Sequence, residues 1–370
     1  MENGMTGLAG GFGGAYRGAR VLLTGDTGFK GTWLAFWLRR LGAEVLGVAL
    51  PPEGGRSLFS AGRLDALHEH RTVDIRDGAE VRAAVEEWRP DTVFHLAAQA
   101  LVRRSYMSPA ETFATNVQGT ANVLDAVRLA DRPCAVVVIT SDKCYENRET
   151  GRPCVETDRM GGHDPYSASK GCAELVAAAY RASFFAPGGK IRLATARAGN
   201  VIGPGDWAED RIVPDAVRAL AAGQTLCVRN PKAVRPWQHV LEPLGGYLTL
   251  GEALLEGKPL AEGWNFGPDP NAARTVGELA EAFCAAWGDG ARWEAMPEPG
   301  APHEAGLLRL DISKAESRLG WRPALDFETT VRMTAAGYRR LLAAAGPDDV
   351  REFMDEEIAA YEAAAGRSGR

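Results

Sequence analysis

Apolar residues come in short blocks along this chain, and polar side chains fall where the blocks end. Val21-Leu-Leu-Thr24, Glu44–Ala49, Asp91–Ala98, Val136–Ile139 and Ile191–Ala196 have the composition of strands buried on both faces of a parallel sheet. A further strand end falls at Thr72-Val-Asp74-Ile75. Between the blocks the spacing is helical. Leu34, Leu38 and Leu41 share a face that stops at Gly42, and Val81, Val85 and Trp88 share one over 78–88. Ser108-Pro109 opens a long helix that packs Phe113, Val117 and Leu124, with Asn116 interrupting the apolar pattern. A polar side chain placed there needs a partner. Strands alternating with helices predict an α/β fold built on a doubly wound parallel sheet.

From Arg197 the texture turns glycine-rich and irregular, which predicts a smaller lobe over the strand ends. The expected division is a disordered glycine-rich leader over 1–18 and a sheet domain over 19–196 with a return near 239–266. The lobe then takes 197–238 and 267–345, and a C-terminal helix and tail take 346–370. Ser313–Gly320 reads as a short helix, and Val350, Met354, Ile358 and Tyr361 lie on one side of the last one.

Composition narrows the partners. Charged residues make up 24% and hydrophobic ones 45% of 370 residues, the ordinary globular range. A net charge of -6 leaves no basic stripe for nucleic acid, although a local pocket for one small anion is compatible with it. Cysteines at 134, 144, 154, 172, 227 and 284 include no CxxC pair, which predicts a reducing, cytoplasmic setting. No apolar run approaches the roughly 18 residues that would predict a membrane span. The leader has neither the basic nor the apolar region of a signal peptide, and no strand precedes its GGFGG. His68 and His70 flank Glu69 without further ligands, so no metal site is expected.

Two stretches carry chemistry. Gly25-Asp-Thr-Gly28-Phe-Lys-Gly31 lies between the first strand and the first helix, the arrangement that lets a pyrophosphate approach backbone amides at a helix N-terminus. Glu53 is the nearest acid after the second strand, so the loop alone does not separate NAD from NADP. Asp74 suits either an adenine amino group or a helix cap. Small residues in His95-Leu-Ala-Ala-Gln99 allow a cofactor close to the strand end, and His95 itself reads as a core histidine. The second stretch is Val136–Tyr145, where Ser141, Asp142 and Lys143 fall at the end of an apolar strand. Asp164 and Pro165 then open a helix with Tyr166 and Lys170 one turn apart. A hydroxyl, a phenol and an ammonium suggest hydride transfer. Asp142 and Lys143 are either an additional acid–base pair or a cap on the strand end.

The glycine loop, Ser141 and the Tyr166-xxx-Lys170 pair resemble the extended short-chain dehydrogenase/reductase superfamily. TSDK, PYSASKGCAE, ARAGNVIGPGDW and RPWQHVLEPL resemble, more narrowly, the CDP-glucose 4,6-dehydratases, over about 21–345. Ser141 stands where Thr is usual and Ala100 where Pro is usual. The resemblance implies a Rossmann-like domain that holds NAD tightly. Gly25, Thr27, Gly28, Phe29, Lys30, Gly31, Asp74, Ile75, Leu96, Ala97, Ala98, Gln99 and Asn116 would hold it, together with Tyr166 and Lys170. It places Arg103, Ser105, Asn200, Arg211 and Arg235 on a nucleotide sugar, CDP-glucose, and implies a homodimer or homotetramer. Tyr166 would take the C4 hydroxyl proton, with Lys170 favouring the phenolate and Ser141 orienting the oxygen. Asp142 and Lys143 would serve elimination across C5–C6; related dehydratases carry Glu in place of Lys143. A nucleotide-sugar 4-epimerase needs no such pair, and a silent dinucleotide-binding regulator can dispense with Tyr166 and Lys170.

Overall fold

Seven strands, β1 (Arg20–Thr24), β2 (Glu44–Ala49), β3 (Glu69–Thr72), β4 (Thr92–His95), β5 (Cys134–Ile139), β6 (Ile191–Arg197) and β7 (Gly263–Asn265), form one sheet. Their order is β7-β6-β5-β4-β1-β2-β3, and every pairing is parallel. The computed structural model describes residues 11–147, 151–269, 273–296 and 308–368. Chain direction across the sheet reverses between β1 and β4, and a crevice opens outside the carboxyl ends at such a point.

Helices cover both faces. On one, the helix after the glycine loop (Phe29–Arg40), the helix Leu241–Leu255 and the C-terminal helix (Pro347–Ser368) bury Trp33, Trp37, Tyr247, Trp264 and Met354. On the other, Gly78–Trp88, Gly119–Ala130 and Pro165–Ser183 bury Val81, Val85, Val123, Leu124 and Ala177. A third core lies around Val217, Trp237, Phe283, Trp287, Val331 and Tyr338. β7 and the helix before it, Leu241–Leu255, bring the chain back to the sheet.

The leader differs from its expectation. Residues 1–10 lie outside the described residues, but Gly11–Gly14 form a 3-10 turn and Tyr16 is buried. Its hydroxyl donates to the carbonyl of Leu248 at 2.6 Å, while Phe12 meets Trp37 edge-on. Two aromatic side chains with core surface to cover outweigh the entropic cost of ordering glycines. The third strand ends at Thr72, earlier than its apolar run suggested. The helix opened at Pro109 continues to Ala130, but through a π turn at Ala114–Gln118, and Phe113 stays exposed. That turn carries Asn116, consistent with π turns gathering at functional sites.

Candidate active site

The glycine loop is a cradle that side chains would fill. Gly25 has φ +81°, and a Cβ there would lie 2.8 Å from the amide of Ala97; one on Gly31 would lie 1.9 Å from the carbonyl of Gly25. A backbone this bare at a helix N-terminus fits a dinucleotide pyrophosphate. Thr24 fixes the opposite wall, its hydroxyl accepting from the amides of Leu96 and Ala97 and meeting Nδ1 of His95 at 2.7 Å. His95 is a core histidine: burial, then the charge of Lys170, pushes it down to about 3. Thr27 donates to the carbonyl of Leu50. Phe29 and Lys30 begin the first helix, and Lys30 Nζ lies 3.5 Å from the Tyr247 hydroxyl. Burial, with Arg211 and Lys170 nearby, pushes this ammonium down to about 7.

Asp26, within the same loop, is met by His68 at 3.1 Å and His70 at 2.8 Å. Burial alone would raise its carboxyl; the two imidazole contacts prevail and hold it below the usual range. After the third strand, the cap of the following helix is Asp77, whose carboxylate accepts from the amides of Ala79 and Glu80. Asp74 instead forms a forked pair with Arg76, and Ile75 fills the space beside Gly119. Asn116 has its required partners. It exchanges hydrogen bonds with the backbone of Gln99 at 2.8 and 2.9 Å and donates to Ser169 at 2.8 Å, next to Lys170. Ala97 and Ala98 keep the strand end small between them.

Ser141, Asp142, Tyr166 and Lys170 are buried together at the end of β5. Asp142–Cys144 is a 3-10 turn with Ser141 as its cap: the Ser141 hydroxyl accepts from the Lys143 amide and donates to Asp142 Oδ1 at 2.9 Å. Across from it, Asp164 caps the helix and Pro165 sits at its first position, so Tyr166 enters the site in the first turn. Burial pushes Tyr166 up to about 12, and a hydrogen bond with Ser141 works against that rise. Lys170 donates to the carbonyl of Ile139 at 3.3 Å, and burial pushes it down to about 8. A base at neutral pH therefore needs further stabilisation of the phenolate.

Residues beyond β6 and the helix Val102–Met107 lie around this group. Asn200, in a left-handed conformation at φ +50°, reaches Asp142 Oδ2 at 3.5 Å. Gly199 had no signal of its own in the sequence, yet a Cβ there would lie 1.8 Å from that oxygen. Arg211 is half-buried and donates to Asp206 at 2.8 Å, whose charge raises its pKa. Arg235 is buried, and Arg103 lies 3.6 Å from Asp210. Ser105 is fully buried, donating to Val102 and accepting from the Tyr166 amide at 3.1 Å. Next to Gly199 a small cavity lies between Pro236, Gln238, Asp269 and Arg309. Among the described residues no group of three His, Cys, Asp or Glu side chains is placed to hold a metal ion.

A glycine cradle at the sheet's reversal point, beside a strand-end serine and a Tyr–Lys helix, defines an extended short-chain dehydrogenase/reductase. Within that class the chain belongs to the GDP-mannose 4,6 dehydratase family, whose model matches residues 22–334. A CDP-glucose 4,6-dehydratase of Salmonella typhimurium is 49% identical over 321 residues, 85% of this chain and 89% of that one. A solved dTDP-glucose 4,6-dehydratase of Streptomyces venezuelae with NAD bound superposes with a TM-score of 0.72 at 26% identity, covering 86% of this chain and 97% of that one. A UDP-glucose 4-epimerase of Stenotrophomonas maltophila shares the fold, with a TM-score of 0.76 at 23% identity over 88% of this chain and all of that one.

Proposed function

We propose that this protein is an NAD-dependent hydro-lyase that converts CDP-D-glucose to CDP-4-keto-6-deoxy-D-glucose and water. The observation that carries the reading is the Ser141–Asp142–Lys143 turn standing against Tyr166 and Lys170. An epimerase oxidises C4 and has no use for an acid–base pair after the serine, whereas dehydration needs one. The cytidine rests on the 49% identical relative.

NAD would supply a hydride acceptor for C4 of the sugar and a hydride donor for C6. The cradle of Gly25, Gly28 and Gly31 would hold its pyrophosphate, and Asp74 and Ile75 the adenosine end. Leu96, Ala97, Ala98, Gln99 and Asn116 would flank the remainder. Tyr166 would accept the C4 hydroxyl proton while Ser141 orients that oxygen. A ketone at C4 then acidifies the C5 proton, and Asp142 and Lys143 would serve its removal and the departure of the C6 hydroxyl. Arg211 and Arg235 suit the diphosphate, since a guanidinium fork bonds two oxygens at once. Arg103, Ser105 and Asn200 would complete the sugar-nucleotide contacts.

Six free thiols among the described residues support a reducing cytoplasm, and no described helix is long and apolar enough to cross a membrane. Exposed Met107, Phe113 and Leu175, on helices that pack on one another, support a homodimer or homotetramer. Incubation with CDP-glucose deuterated at C4, followed by NMR, tests the reaction. The label is expected at C6 of a 4-keto-6-deoxy product, and stoichiometric release of NADH would refute it. Parallel assays with CDP-glucose, dTDP-glucose, UDP-glucose and GDP-mannose test the base. CDP-glucose should lead the others by at least about tenfold in kcat/KM, about 1.4 kcal/mol of transition-state discrimination.

A further inference from the structure

One buried cation lies behind the site and touches both of its halves. Arg197 is the last residue of β6, and its guanidinium is fixed on two sides. Nη2 donates to Glu174 Oε2 at 2.8 Å. Nη1 donates to the Tyr145 hydroxyl at 2.6 Å and to the carbonyl of Glu156 at 3.0 Å, and the whole group stacks 5.1 Å from the Tyr145 ring centre. Space for it exists because β7 places a glycine opposite: a Cβ on Gly263 would lie 2.4 Å from Nη2.

Each partner leads to one pair of reactive side chains. Glu174 stands one turn beyond Lys170 on the Tyr166 helix. Its two oxygens also accept from Thr140, at the end of β5, and Thr195, on β6, at 2.5 and 2.8 Å. The helix is thereby pinned to the ends of both strands. Tyr145 directly follows the 3-10 turn that holds Asp142 and Lys143, and its hydroxyl donates to Asn265 at 2.7 Å. Asn265 in turn bonds Glu156, Cys154 and Asp311, closing the loop around the turn.

A buried ion pair is a poor choice where only stability is wanted, since apolar residues of similar volume commonly do as well or better. What it supplies is direction: a planar fork with fixed donors holds two elements at one mutual height. We propose that Arg197 is a positioning residue that keeps the Asp142–Lys143 turn in register with the Tyr166–Lys170 helix, so that C4 oxidation and C5–C6 elimination are served in one geometry. This rests on the dehydratase reading above.

Tyr145→Phe is the gentlest probe, because it removes the hydroxyl linking Arg197 to the turn and leaves the Glu174 pair intact. Arg197→Lys keeps the charge and loses the fork. After rapid mixing of the NAD-loaded variants with CDP-glucose, reduced-nicotinamide absorbance should form at a rate within about threefold of the wild type. It should then decay at least about tenfold more slowly, because elimination lags. Equal slowing of both phases, or neither, overturns the proposal. Hydrogen exchange gives a second reading that needs no turnover. The amides of Glu146 and Gly161, which bond Arg159 and Cys144, should exchange faster in both variants, and those of 168–176 should not. Unchanged exchange at Glu146 and Gly161 also overturns it. A wild type that leaves CDP-glucose untouched sinks the dehydratase reading alone, and the exchange data still judge the positioning of the turn.

Discussion

At the scale of single residues, the site sets opposite demands side by side. Tyr166 is pushed up to about 12 by burial, although its proposed task is to accept a proton. Tyr166→Phe removes the acceptor while leaving the fold and the cradle, and a loss of about 10²–10⁴-fold in turnover is expected with NAD binding unchanged. Retained turnover would move the oxidation step to another group. Lys143→Met should permit oxidation but not elimination, so reduced nicotinamide should build up on the enzyme without product. A residue that merely capped the strand end would give weaker folding and no such build-up. Gly199→Ala tests Asp142 from the far side. The new methyl group and Asp142 Oδ2 cannot both keep their places, and the loss in product formation should be at least about tenfold. Normal rates for that variant would show that the carboxylate can turn away without consequence.

At the scale of elements, what the sequence revealed was local. The glycine loop and the capped Tyr166 helix depend on neighbours within about four residues, and both stand where spacing put them. Asn116 showed its need of a partner, but its partners, Gln99 and Ser169, lie 17 and 53 residues away and left no trace in the pattern. Glu174 and Arg197 were equally silent, since nothing in a string of residues pairs two charges that meet only when a helix crosses a strand. The leader was misread for the converse reason. Its glycines dominate the composition, while Phe12 and Tyr16 decide its fate. The Tyr166 helix also offers a test of its start: Asp164 accepts from the Ser167 amide at 2.9 Å and from its hydroxyl at 2.6 Å. Asp164→Ala should cost about 1 kcal/mol, visible as a lowered midpoint in urea with an unchanged slope. No shift in the midpoint would mean that Ser105, accepting from the Tyr166 amide, caps the helix sufficiently by itself.

At the scale of the molecule, Glu242 joins the sheet domain to the end of the chain. Its carboxyl accepts from the amides of Ala324 and Leu325 at 2.8 and 2.7 Å and from the Tyr361 hydroxyl at 3.0 Å. Burial nevertheless pushes it up to about 7 from an ordinary 4.5. A carboxyl raised in the folded state contributes most below its unfolded value, and that contribution fades as pH climbs from about 4.5 to about 7. Glu242→Gln should therefore gain on the wild type across that window, by roughly 3 kcal/mol between its two ends. Urea titrations of both proteins at several pH values read the difference, and parallel curves would refute it. The C-terminal helix that Tyr361 anchors also covers the helix behind the glycine loop, with Phe353 against Trp33, Tyr361 against Trp37, and Glu362 bonded to the Trp37 indole. Trp37 and Glu362 are 325 residues apart. A ribosome thus delivers the Trp37 indole 325 residues before the carboxylate that meets it. Until Pro347–Ser368 is made and docks, a nascent chain leaves the face of Trp33 and Trp37 without this cover, and transiently exposed apolar surface of that kind favours aggregation.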